Sequence, residues 1–457
     1  MESGSYIAIL DVGKTNTRLI VAGQETGNIV WMAERASNTL NSSPVRQLDV
    51  AGIERWLVER LSDIPHRDRI TAIVPIAHGA AAVLVDSTRQ VLLAPDYEDA
   101  RFELVAQTYQ KERDSYATTY SPSLPLGLNL GRQLYFLHQH ASDLLSRCQH
   151  ILLYPQFWAW RLSGVMASEI TSLGCHTDLW QVSGMRFSSL ANRHGWTAKF
   201  PPLHRATDTL GVVSEEIARR TGLNPDCRVL CGLHDSNASY LCHLNQRLDE
   251  KPFAVISSGT WTVIMARGSD LRRLHPEHDM LANIDAFGEP VGTARFMGGR
   301  EYLAIAGGIG VQQTPTVETL REIIARRVMA LPSFAAGGPF STKAGRLIGV
   351  DGLSGVGRAT LATLYVALMS DLVLDLLGAT GNIVIDGPLA TNDVYCSLLA
   401  ALRSQSSVHR STQRAGSVMA ARALMGYRSD IPQAPAVQPL YVPELKSYQA
   451  RWQNLVC

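Results

Sequence analysis

Three short β-prone runs open the chain, and the turns between them are too short to hold a crossover helix. The runs cover residues 6–10, 17–22 and 29–33. Parallel neighbours need a connection of a dozen or more residues, so these strands must pair as an antiparallel meander. A helical segment at residues 50–61 and an apolar run at 70–76 follow. Together they predict an α/β domain with a mixed sheet.

The second half of the chain begins with the same plan. A strand at residues 253–256, a small polar turn at 257–260 and a strand at 261–265 follow one another. The two turns share only Gly and Thr, so this is a similarity of architecture and not a sequence repeat. We expect two α/β domains, 1–246 and 247–457. Residues 361–376 carry leucines at helical spacing, residues 382–386 form a strand, and a helix capped by Thr391 or Asn392 follows at 392–403.

Composition limits the class of partner. The 457 residues are 46% hydrophobic and 18% charged, as in globular proteins, and the formal net charge is +1. No overall field therefore attracts nucleic acid or an anionic membrane, and an anionic ligand needs a local site. The best membrane candidate, residues 359–377, contains Asp371 and Asp375 and is interpreted as a buried amphipathic helix. With no signal peptide and seven scattered cysteines that form no CxxC pair, we expect a cytoplasmic protein with buried, reduced thiols.

The first turn contains Gly13-Lys14-Thr15, which invites a P-loop interpretation. The P-loop needs a glycine at position 8, where the chain has Ala8, and a helix after the lysine, where the chain has a strand. The alternative is a phosphate-binding hairpin with an acid suited to Mg²⁺, or an ordinary hairpin turn. The hairpin residues are Asp11, Gly13, Lys14, Thr15 and Asn16. A second hairpin with polar donors, residues 257–261, favours phosphate binding.

Three motifs in this order resemble the FGGY carbohydrate kinases of the actin/hexokinase/heat-shock-chaperone ATPase superfamily. They are Asp-Val-Gly-Lys-Thr-Asn-Thr-Arg at 11–18, Gly-Leu-His-Asp-Ser-Asn-Ala at 232–238 and Ser-Ser-Gly-Thr-Trp at 257–261. Residues 157–174 are also similar to the segment that ends the sugar-binding region of that family. Each motif is moderately specific, and the ordered set is much more so.

The resemblance implies a fold and an activity. The fold is α/β, with two ribonuclease-H-like (actin-like ATPase) domains whose mixed sheets are flanked by helices and which close around a central cleft. Residues 1–246 would hold the sugar and the first phosphate hairpin, and residues 247–457 would hold most of the ATP. The activity is transfer of the γ-phosphoryl group of Mg-ATP to a sugar hydroxyl, and the family commonly forms homodimers.

Asp235 is the predicted catalytic base. It follows an apolar run and Gly232, and phosphoryl transfer needs positioning, charge neutralisation and a proton acceptor for the attacking hydroxyl. The alternative is an aspartate that only caps the next helix, and one residue can do both. His234 beside it could contact the substrate or simply pack.

The resemblance also assigns the nucleotide contacts. Asp11 would lie near the metal and the β- and γ-phosphates, and Asp386-Gly387 keeps one glycine of the family's Gly-Gly motif at the adenosine end. Residues 296–301 would form a loop near the nucleotide, and residues 307–310 a turn lining the cleft. The predicted cofactor-binding residues are Asp11, Gly13, Lys14, Thr15, Asn16, Gly259, Thr260, Gly308 and Gly387, with Asp11 as the metal ligand.

Sugar contacts are predicted from looser similarity. Ile-Ala-His-Gly at 76–79 resembles a Met-His-Gly segment of xylulose kinases, and Asp96 falls where the family has a substrate segment. For Trp158 a core position is an equal alternative. The predicted substrate-binding residues are His78, Gly79, Asp96, Trp158, His234 and Asp235. The histidine pairs at 138/140 and 275/278 lack further ligands, so zinc is not expected.

These observations leave two hypotheses of different class. The first is an ATP-dependent kinase of a ketose or 6-deoxyketose, such as L-fuculose, L-rhamnulose, a pentulose or a hexulose. The second is a non-catalytic, nucleotide-gated sugar-binding or regulatory protein of the same superfamily, which would not need a base at Asp235. A dinucleotide oxidoreductase is excluded because no GxGxxG follows the first strand.

Overall fold

The computed structural model of the protein describes residues 4–244, 252–411, 416–427 and 436–456. The chain divides into two compact units. Unit 1 comprises Met1–Gln246, Ala282–Pro290 and Ala415–Asp430, and unit 2 comprises Arg247–Leu281, Val291–Arg414 and Ile431–Cys457. The predicted two-domain α/β fold is confirmed. The predicted single division near residue 247 does not include the two later segments that belong to unit 1. Residues 245–251, where that division falls, lie outside the described residues.

Unit 1 is built on a mixed sheet of seven strands. In chain order they are Tyr6–Val12, Asn16–Gly23, Ile29–Ala36, Ile70–Ala77, Thr209–Val212, Arg228–Leu230 and Leu233–His234. The first three pair antiparallel, so the predicted meander is confirmed. The central strand Tyr6–Val12 also pairs in parallel with Ile70–Ala77, and Leu233–His234 pairs in parallel with the end of that strand.

Both faces of the central strand are covered, which explains its unbroken apolar run. Ala8 and Leu10 belong to one core with residues of the helices Val50–Asp63 and Tyr154–Ser163. Ile7 and Ile9 belong to a second core with residues of the helices Asp235–Leu244 and Gly416–Leu424. Because successive side chains of a strand point to opposite faces, this one strand contributes residues to both cores.

Shorter elements complete unit 1. The other helices are Ala106–Glu112, Tyr116–Thr119, Leu130–His140, Ser142–Arg147, Ile170–Leu173, Ser189–Arg193 and Glu215–Thr221, with 3-10 turns Arg67–Arg69, Ala100–Val105 and Thr197–Lys199. A small sheet joins Val91–Leu93, Ala82–Asp86 and Cys148–Leu153. Two-stranded pairs join Thr39–Leu40 with Gln47–Leu48, Ser168–Glu169 with Leu203–His204, and Trp180–Gln181 with Arg186–Phe187.

Unit 2 repeats the central arrangement of unit 1. Phe253–Ser258 pairs antiparallel with Thr262–Arg267 and parallel with Asn382–Asp386. The remaining strands of the sheet are Met280–Ile284, Pro290–Phe296 and Val408–Arg410, and a separate pair joins Met329–Leu331 with Arg346–Ile348. The similarity of plan seen in the sequence is therefore a similarity of strand pairing.

The longest helix of unit 2 is also its core. The helices of this unit are Gly298–Gly310, Val317–Ala325, Gly355–Leu376, Asp393–Leu402 and Leu445–Val456, with 3-10 turns Leu271–Arg273, Pro276–His278 and Pro388–Thr391. Among the described residues, Gly355–Leu376 alone is long and apolar enough to cross a membrane, and most of it is buried inside the unit. Its buried residues lie on all sides of the helix. The prediction of a buried helix is therefore confirmed, and the prediction that this helix is amphipathic is wrong. Asn392 caps Asp393–Leu402, as predicted.

The cysteines follow expectation as far as they are described. Cys148, Cys175, Cys227, Cys231, Cys242 and Cys396 are buried and free of disulfides, and Cys457 lies outside the described residues.

Candidate functional site

Asp235 is the first residue of the helix Asp235–Leu244, directly after the strand Leu233–His234. The chain reaches it through Gly232, whose φ is +74° and where a Cβ would collide with the carbonyl oxygen of Pro75. Only glycine fits this approach. The side chain of Asp235 is 40% exposed. Strand and glycine thus deliver an accessible carboxylate at a helix N-terminus, where the helix dipole favours its ionised form.

One oxygen of Asp235 is fixed by its neighbours. Oδ1 accepts from the backbone N–H of Ser236 at 2.6 Å and lies 3.1 Å from Nε2 of the buried His234. Oδ2 carries none of the described hydrogen bonds. Enclosure by protein would raise the pKa of Asp235, but the hydrogen bond and charge of His234 outweigh it and lower that pKa. The arrangement keeps the carboxylate ionised and leaves Oδ2 available to a ligand.

His234 is charged by its surroundings. Burial opposes the charge, yet Cys175 and Asp235 raise the pKa of His234 well above its usual value. Burial likewise opposes ionisation of Cys175, but His176 and His234 lower the pKa of that thiol to about 5. His234 is thus a buried cation held between two acidic groups.

Asp11 lies in the same region of unit 1. In the sheet it pairs with Ile76, and Ile76 pairs on its other side with Leu233, two residues before Asp235. Burial and the negative charge of Asp235 raise the pKa of Asp11 to about 6. The strand Ile70–Ala77 thus separates the two backbones, and the effect of Asp235 on the pKa of Asp11 places both carboxylates in one environment.

The turn after Asp11 is a tight hairpin. The N–H of Gly13 donates to the carbonyl of Asn16 at 2.9 Å, and Ser37 donates through Oγ to Gly13 and through N–H to Thr15. The strand Asn16–Gly23 follows at once, so the predicted hairpin turn is confirmed and the P-loop is excluded, while phosphate binding by this turn stays a prediction. The side chain of Thr15 is exposed at the tip.

Lys14 leaves this turn toward the segment around Asp96. Its ammonium forms an ion pair with Asp96 Oδ1, lies 3.4 Å from Glu98 Oε2 and sits 4.8 Å above the centre of the Tyr97 ring. Asp96 is fully buried, and its second oxygen accepts from Nε of Arg46 at 2.6 Å. Asp96, predicted as a sugar contact, has both oxygens bound to cations of this chain.

Gly79 lies against the ring of His234, and His78 lies beside Gly79. A Cβ on Gly79 would lie 2.6 Å from Nε2 of His234. The buried His78 contacts the carbonyl of Gly79 through Nδ1 at 2.9 Å and packs against the ring of Tyr97. Burial lowers the pKa of His78. The predicted residues at 11, 78, 79, 234 and 235 are thus brought together.

Trp158 does not join them. It is completely buried in a core of unit 1 and packs on Phe157 at a ring distance of 4.9 Å. Its prediction as a substrate contact is corrected, because the aromatic run at 157–160 lies on a helix that fills the core beside the sheet.

Sequence reasoning missed Tyr97 and Glu169. Burial and the charges of Glu98, Asp96 and Asp235 raise the pKa of Tyr97, which places its hydroxyl in the field of the site. Glu169 accepts from the N–H and hydroxyl of Thr171, and that hydroxyl accepts from the backbone N–H of His234 at 3.0 Å. The sequence signal for both residues was their position in segments similar to the family: Tyr97 follows Asp96, and Glu169 lies within residues 157–174.

Unit 2 contains a pocket of about 650 Å³. Its walls come from the hairpin turn after Phe253–Ser258, the first turn of Gly298–Gly310, a short segment near residue 314 and the turn after Asn382–Asp386. The lining residues are Ser258, Gly259, Thr260, Thr262, Gly298, Gly299, Arg300, Tyr302, Leu303, Gln313, Thr314, Pro315, Pro388, Leu389, Thr391, Asn392, Asp393 and Val394.

Glycines let the walls of this pocket approach one another. The N–H of Gly299 donates to the carbonyl of Thr260 at 3.2 Å, and a Cβ on Gly299 would collide with the carbonyl of Gly259. Ser258 Oγ donates to the carbonyl of Asp386 at 2.5 Å and accepts from the N–H of Leu389 at 3.0 Å. At Gly387, φ is +77° and a Cβ would collide with Ser258. The two turns are therefore tied through Ser258.

The glycine-rich segments differ from expectation. Residues 298–306 are helical where a loop was expected, and at Gly307, with φ of +62° and ψ of 178°, the helix is kinked at the start of the segment predicted as a turn. Gly298 and Gly299 line the pocket, whereas Gly308 does not, and space for a Cβ is open there. The pocket therefore does not support the prediction of Gly308 as a nucleotide contact, because Gly308 lies beyond the kink at Gly307 and outside the lining.

The pocket suits a polyanion joined to a planar polar group. Backbone N–H groups at the start of a helix and in a glycine turn bind phosphate oxygens. Arg300 adds a cation, Thr262 Oγ1 is buried with no described partner, and Gln313 offers an amide for a base or ribose. A nucleotide fits this chemistry.

Magnesium fits the oxygen donor of Asp11. Within the described ranges no three His, Cys, Asp or Glu side chains cluster as a closed metal site. Magnesium bound with a nucleotide needs only one or two carboxylates, since phosphates and water supply the rest. The raised pKa of Asp11 indicates a carboxylate that a cation would relieve.

Comparisons with known proteins agree over the whole chain. Residues 6–242 match the family model for the FGGY family of carbohydrate kinases, N-terminal domain, and residues 250–434 match that for carbohydrate kinase FGGY, C-terminal domain. The crystal structure of a carbohydrate kinase from Novosphingobium aromaticivorans is 35% identical, with a TM-score of 0.92 over 100% of this chain and 99% of that one.

More distant relatives match in part or in fold alone. L-fuculokinase of Haemophilus influenzae is 29% identical over 144 residues, which are 30% of this chain and 28% of that protein. The chain thus matches less than a third of the length of this relative. Ligand-bound xylulose kinase from Lactobacillus acidophilus is 15% identical with a TM-score of 0.78, over 98% of this chain and 96% of that one, and shows the fold.

Proposed function

Because the chain belongs to the FGGY family of carbohydrate kinases, we propose that it transfers the γ-phosphoryl group of ATP to a hydroxyl of a small sugar. The observation that carries this proposal is the accessible, ionised carboxylate of Asp235, held by His234 at the start of a helix. A protein that only senses a sugar has no use for such a base.

Asp235 accepts the proton in the proposed reaction. The sugar oxygen forms a bond to the γ-phosphorus while its O–H proton passes to Oδ2 of Asp235. The bond between the γ-phosphorus and the bridging oxygen breaks, and ADP leaves with that electron pair. The lowered pKa of Asp235 keeps it ionised at neutral pH, and the contact with His234 orients it.

The pocket of unit 2 is the proposed ATP site. The N–H groups of Gly259 and Gly299 donate within the chain, so the N–H of Thr260, the first N–H of the helix at Gly298 and the guanidinium of Arg300 would hold phosphate oxygens. Asp11 would hold magnesium, which when bound neutralises phosphate charge. Transfer requires the two ligands to meet, and the closing of the two domains, which the family resemblance implies, stays a prediction.

We propose a ketose or 6-deoxyketose as the substrate. The partial match to an L-fuculokinase supports this class, and the pair His78 and Tyr97 beside Asp235 offers a ring wall and polar groups for hydroxyls. Pentuloses and hexuloses belong in the same test.

The experiment is a coupled ADP-release assay with Mg-ATP and a panel of ketoses, deoxyketoses, polyols and aldonates. Asp235→Asn should lower kcat about 10²–10⁴-fold while the KM for sugar stays within several-fold. The matched control is Asp226→Asn, the same change at an exposed turn of unit 1, which should leave kcat unchanged. Sugar-induced, nucleotide-dependent thermal stabilisation without ADP release in wild type would instead support the non-catalytic binding protein.

A further inference from the structure

The ammonium of Lys14 lies among side chains of the sugar-binding region, although its backbone belongs to the predicted phosphate hairpin. We propose that Lys14 binds the sugar rather than the phosphates of ATP, and that its cluster selects a neutral sugar. The Lys14 cluster is defined as Lys14, Arg46, Asp96, Tyr97 and Glu98. This inference rests on the proposed sugar kinase function for its choice of ligand.

Asp96 fixes the position of the ammonium. Its Oδ1 binds Lys14 and accepts from the N–H of Glu98 at 3.2 Å, and its Oδ2 accepts from Arg46 at 2.6 Å. Turning Lys14 toward a phosphate would remove one of two cations from a fully buried carboxylate. Buried charges that lose a partner are costly, so Lys14 is held where it lies.

Lys14 shares its surroundings with the proposed base. Its ammonium stands over the ring of Tyr97, and Tyr97 in turn meets the ring of His78 edge-on at 5.7 Å. The charge of Asp235 acts on both His78 and Tyr97. The side chain of Lys14 remains 20% exposed. An ammonium has three protons, so one remains for a sugar hydroxyl after Asp96 and Glu98 are served.

The Lys14 cluster carries no net charge. Lys14 and Arg46 are balanced by Asp96 and Glu98, and His234 is balanced by Asp235. Every cation among these described residues has an acidic partner. A sugar with a carboxylate would meet acidic side chains here and no described cation that lacks an acidic partner. The cluster therefore favours neutral sugars over aldonates.

Lys14→Met tests the assignment, because methionine keeps the length of the side chain and removes its charge. We expect the KM for the accepted ketose to rise at least tenfold, while the KM for ATP and the Kd for ADP by calorimetry stay within twofold. The matched control is Lys111→Met at an exposed position of unit 1, which should change none of the three. The double variant Lys14→Met/Asp96→Asn removes both charges and covers the case in which the single variant does not fold.

Other outcomes overturn the inference. A tenfold rise in the Kd for ADP with an unchanged sugar KM would make Lys14 a phosphate ligand, and equal changes in both, or none, would contradict selective sugar binding. Wild type that prefers D-gluconate to ketoses would contradict the neutral-sugar selection. Wild type without turnover of any sugar would defeat the proposed function instead, and the ADP titration of Lys14→Met would still decide whether the lysine holds phosphate.

Discussion

The imidazole of His234 lies 3.1 Å from Oδ1 of Asp235, and of this pair only the carboxylate reaches solvent, with 40% of its side chain exposed against 5%. The histidine is therefore placed to hold the base and not to meet the bulk solvent. It also provides the hydrogen bond and the positive charge that keep Asp235 ionised.

His234→Gln should separate these effects. Loss of the charge-assisted hydrogen bond should lower kcat about 10–100-fold, since such bonds contribute about 1.5–3 kcal/mol. The pKa of Asp235 should rise, so the acidic limb of the kcat/KM profile should move to higher pH. Because the pKa of Asp235 in wild type lies below its ordinary value of 3.8, profiles that extend from about pH 3 to 9 measure this, with His204→Gln, a more exposed histidine of unit 1, as the control. A lower kcat with an unmoved acidic limb would show that His234 does not set that pKa.

Asp11→Asn should change the metal requirement. The neutral amide is a weaker magnesium ligand, so half-saturation should need at least about tenfold more Mg²⁺, with activity recovered at high Mg²⁺. Because the pKa of Asp11 is raised to about 6, its ionised form destabilises the folded protein at neutral pH, and the variant should melt no lower than wild type. Initial rates against Mg²⁺ measure this, with the exposed Asp143→Asn as the control. An unchanged requirement would remove Asp11 from the metal site.

The strand pairing of both units could be predicted from the sequence, because it depends on local facts. Turns of a few residues after Tyr6–Val12 and Phe253–Ser258 permit only antiparallel neighbours. Asp235 could be found for a similar reason, since an acid directly after a strand and a glycine is rarely needed by folding alone.

Partners far apart in the chain could not be predicted. Lys14 and Asp96 are 82 residues apart, and Arg46 and Asp96 are 50 apart, so no local pattern relates the three. The helix start at Gly298 could not be predicted either, because two consecutive glycines favour a loop. Glycine is required there by packing, since a Cβ would crowd Phe296 or Thr260. Trp158 could not be assigned either, since an aromatic residue serves a core and a sugar site equally well.

Glu169→Gln should alter the dependence of stability on pH. Burial raises the pKa of Glu169 from 4.5 to about 7, in spite of hydrogen bonds from Thr171 and Ser172. The unfolded chain ionises first as pH rises, so between about pH 4.5 and 7 this group lowers the free energy of unfolding by on the order of 3 kcal/mol. The effect is measured as the difference in melting temperature between wild type and Glu169→Gln at a series of pH values.

Glutamine keeps an acceptor for Thr171 but cannot ionise, so the variant should lose less stability than wild type across that range. The control is Glu216→Gln on the exposed face of Glu215–Thr221, whose curve should follow wild type. Parallel curves for wild type and Glu169→Gln would contradict a buried, titrating carboxylate.

Two glycines on either side of the kink at Gly307 give the sharpest test of the nucleotide pocket. A Cβ on Gly299 would collide with the carbonyl of Gly259, whereas a Cβ on Gly308 meets nothing within 4 Å. Gly299→Ala must displace the hairpin turn at the pocket wall, so the KM for ATP should rise at least about tenfold, with overpacking costing about 1–3 kcal/mol of stability. The KM for sugar should change little, because unit 1 holds the proposed sugar site.

Gly308→Ala is the matched control, since it makes the same change just beyond the kink and outside the pocket lining. Gly308 does not line the pocket and a Cβ there meets nothing, so this variant should keep both the KM for ATP and the stability of wild type. Kinetics in ATP and thermal melts of both variants decide the matter. Equal loss of ATP affinity in the two would restore Gly308 as a nucleotide contact and refute the pocket at Gly299.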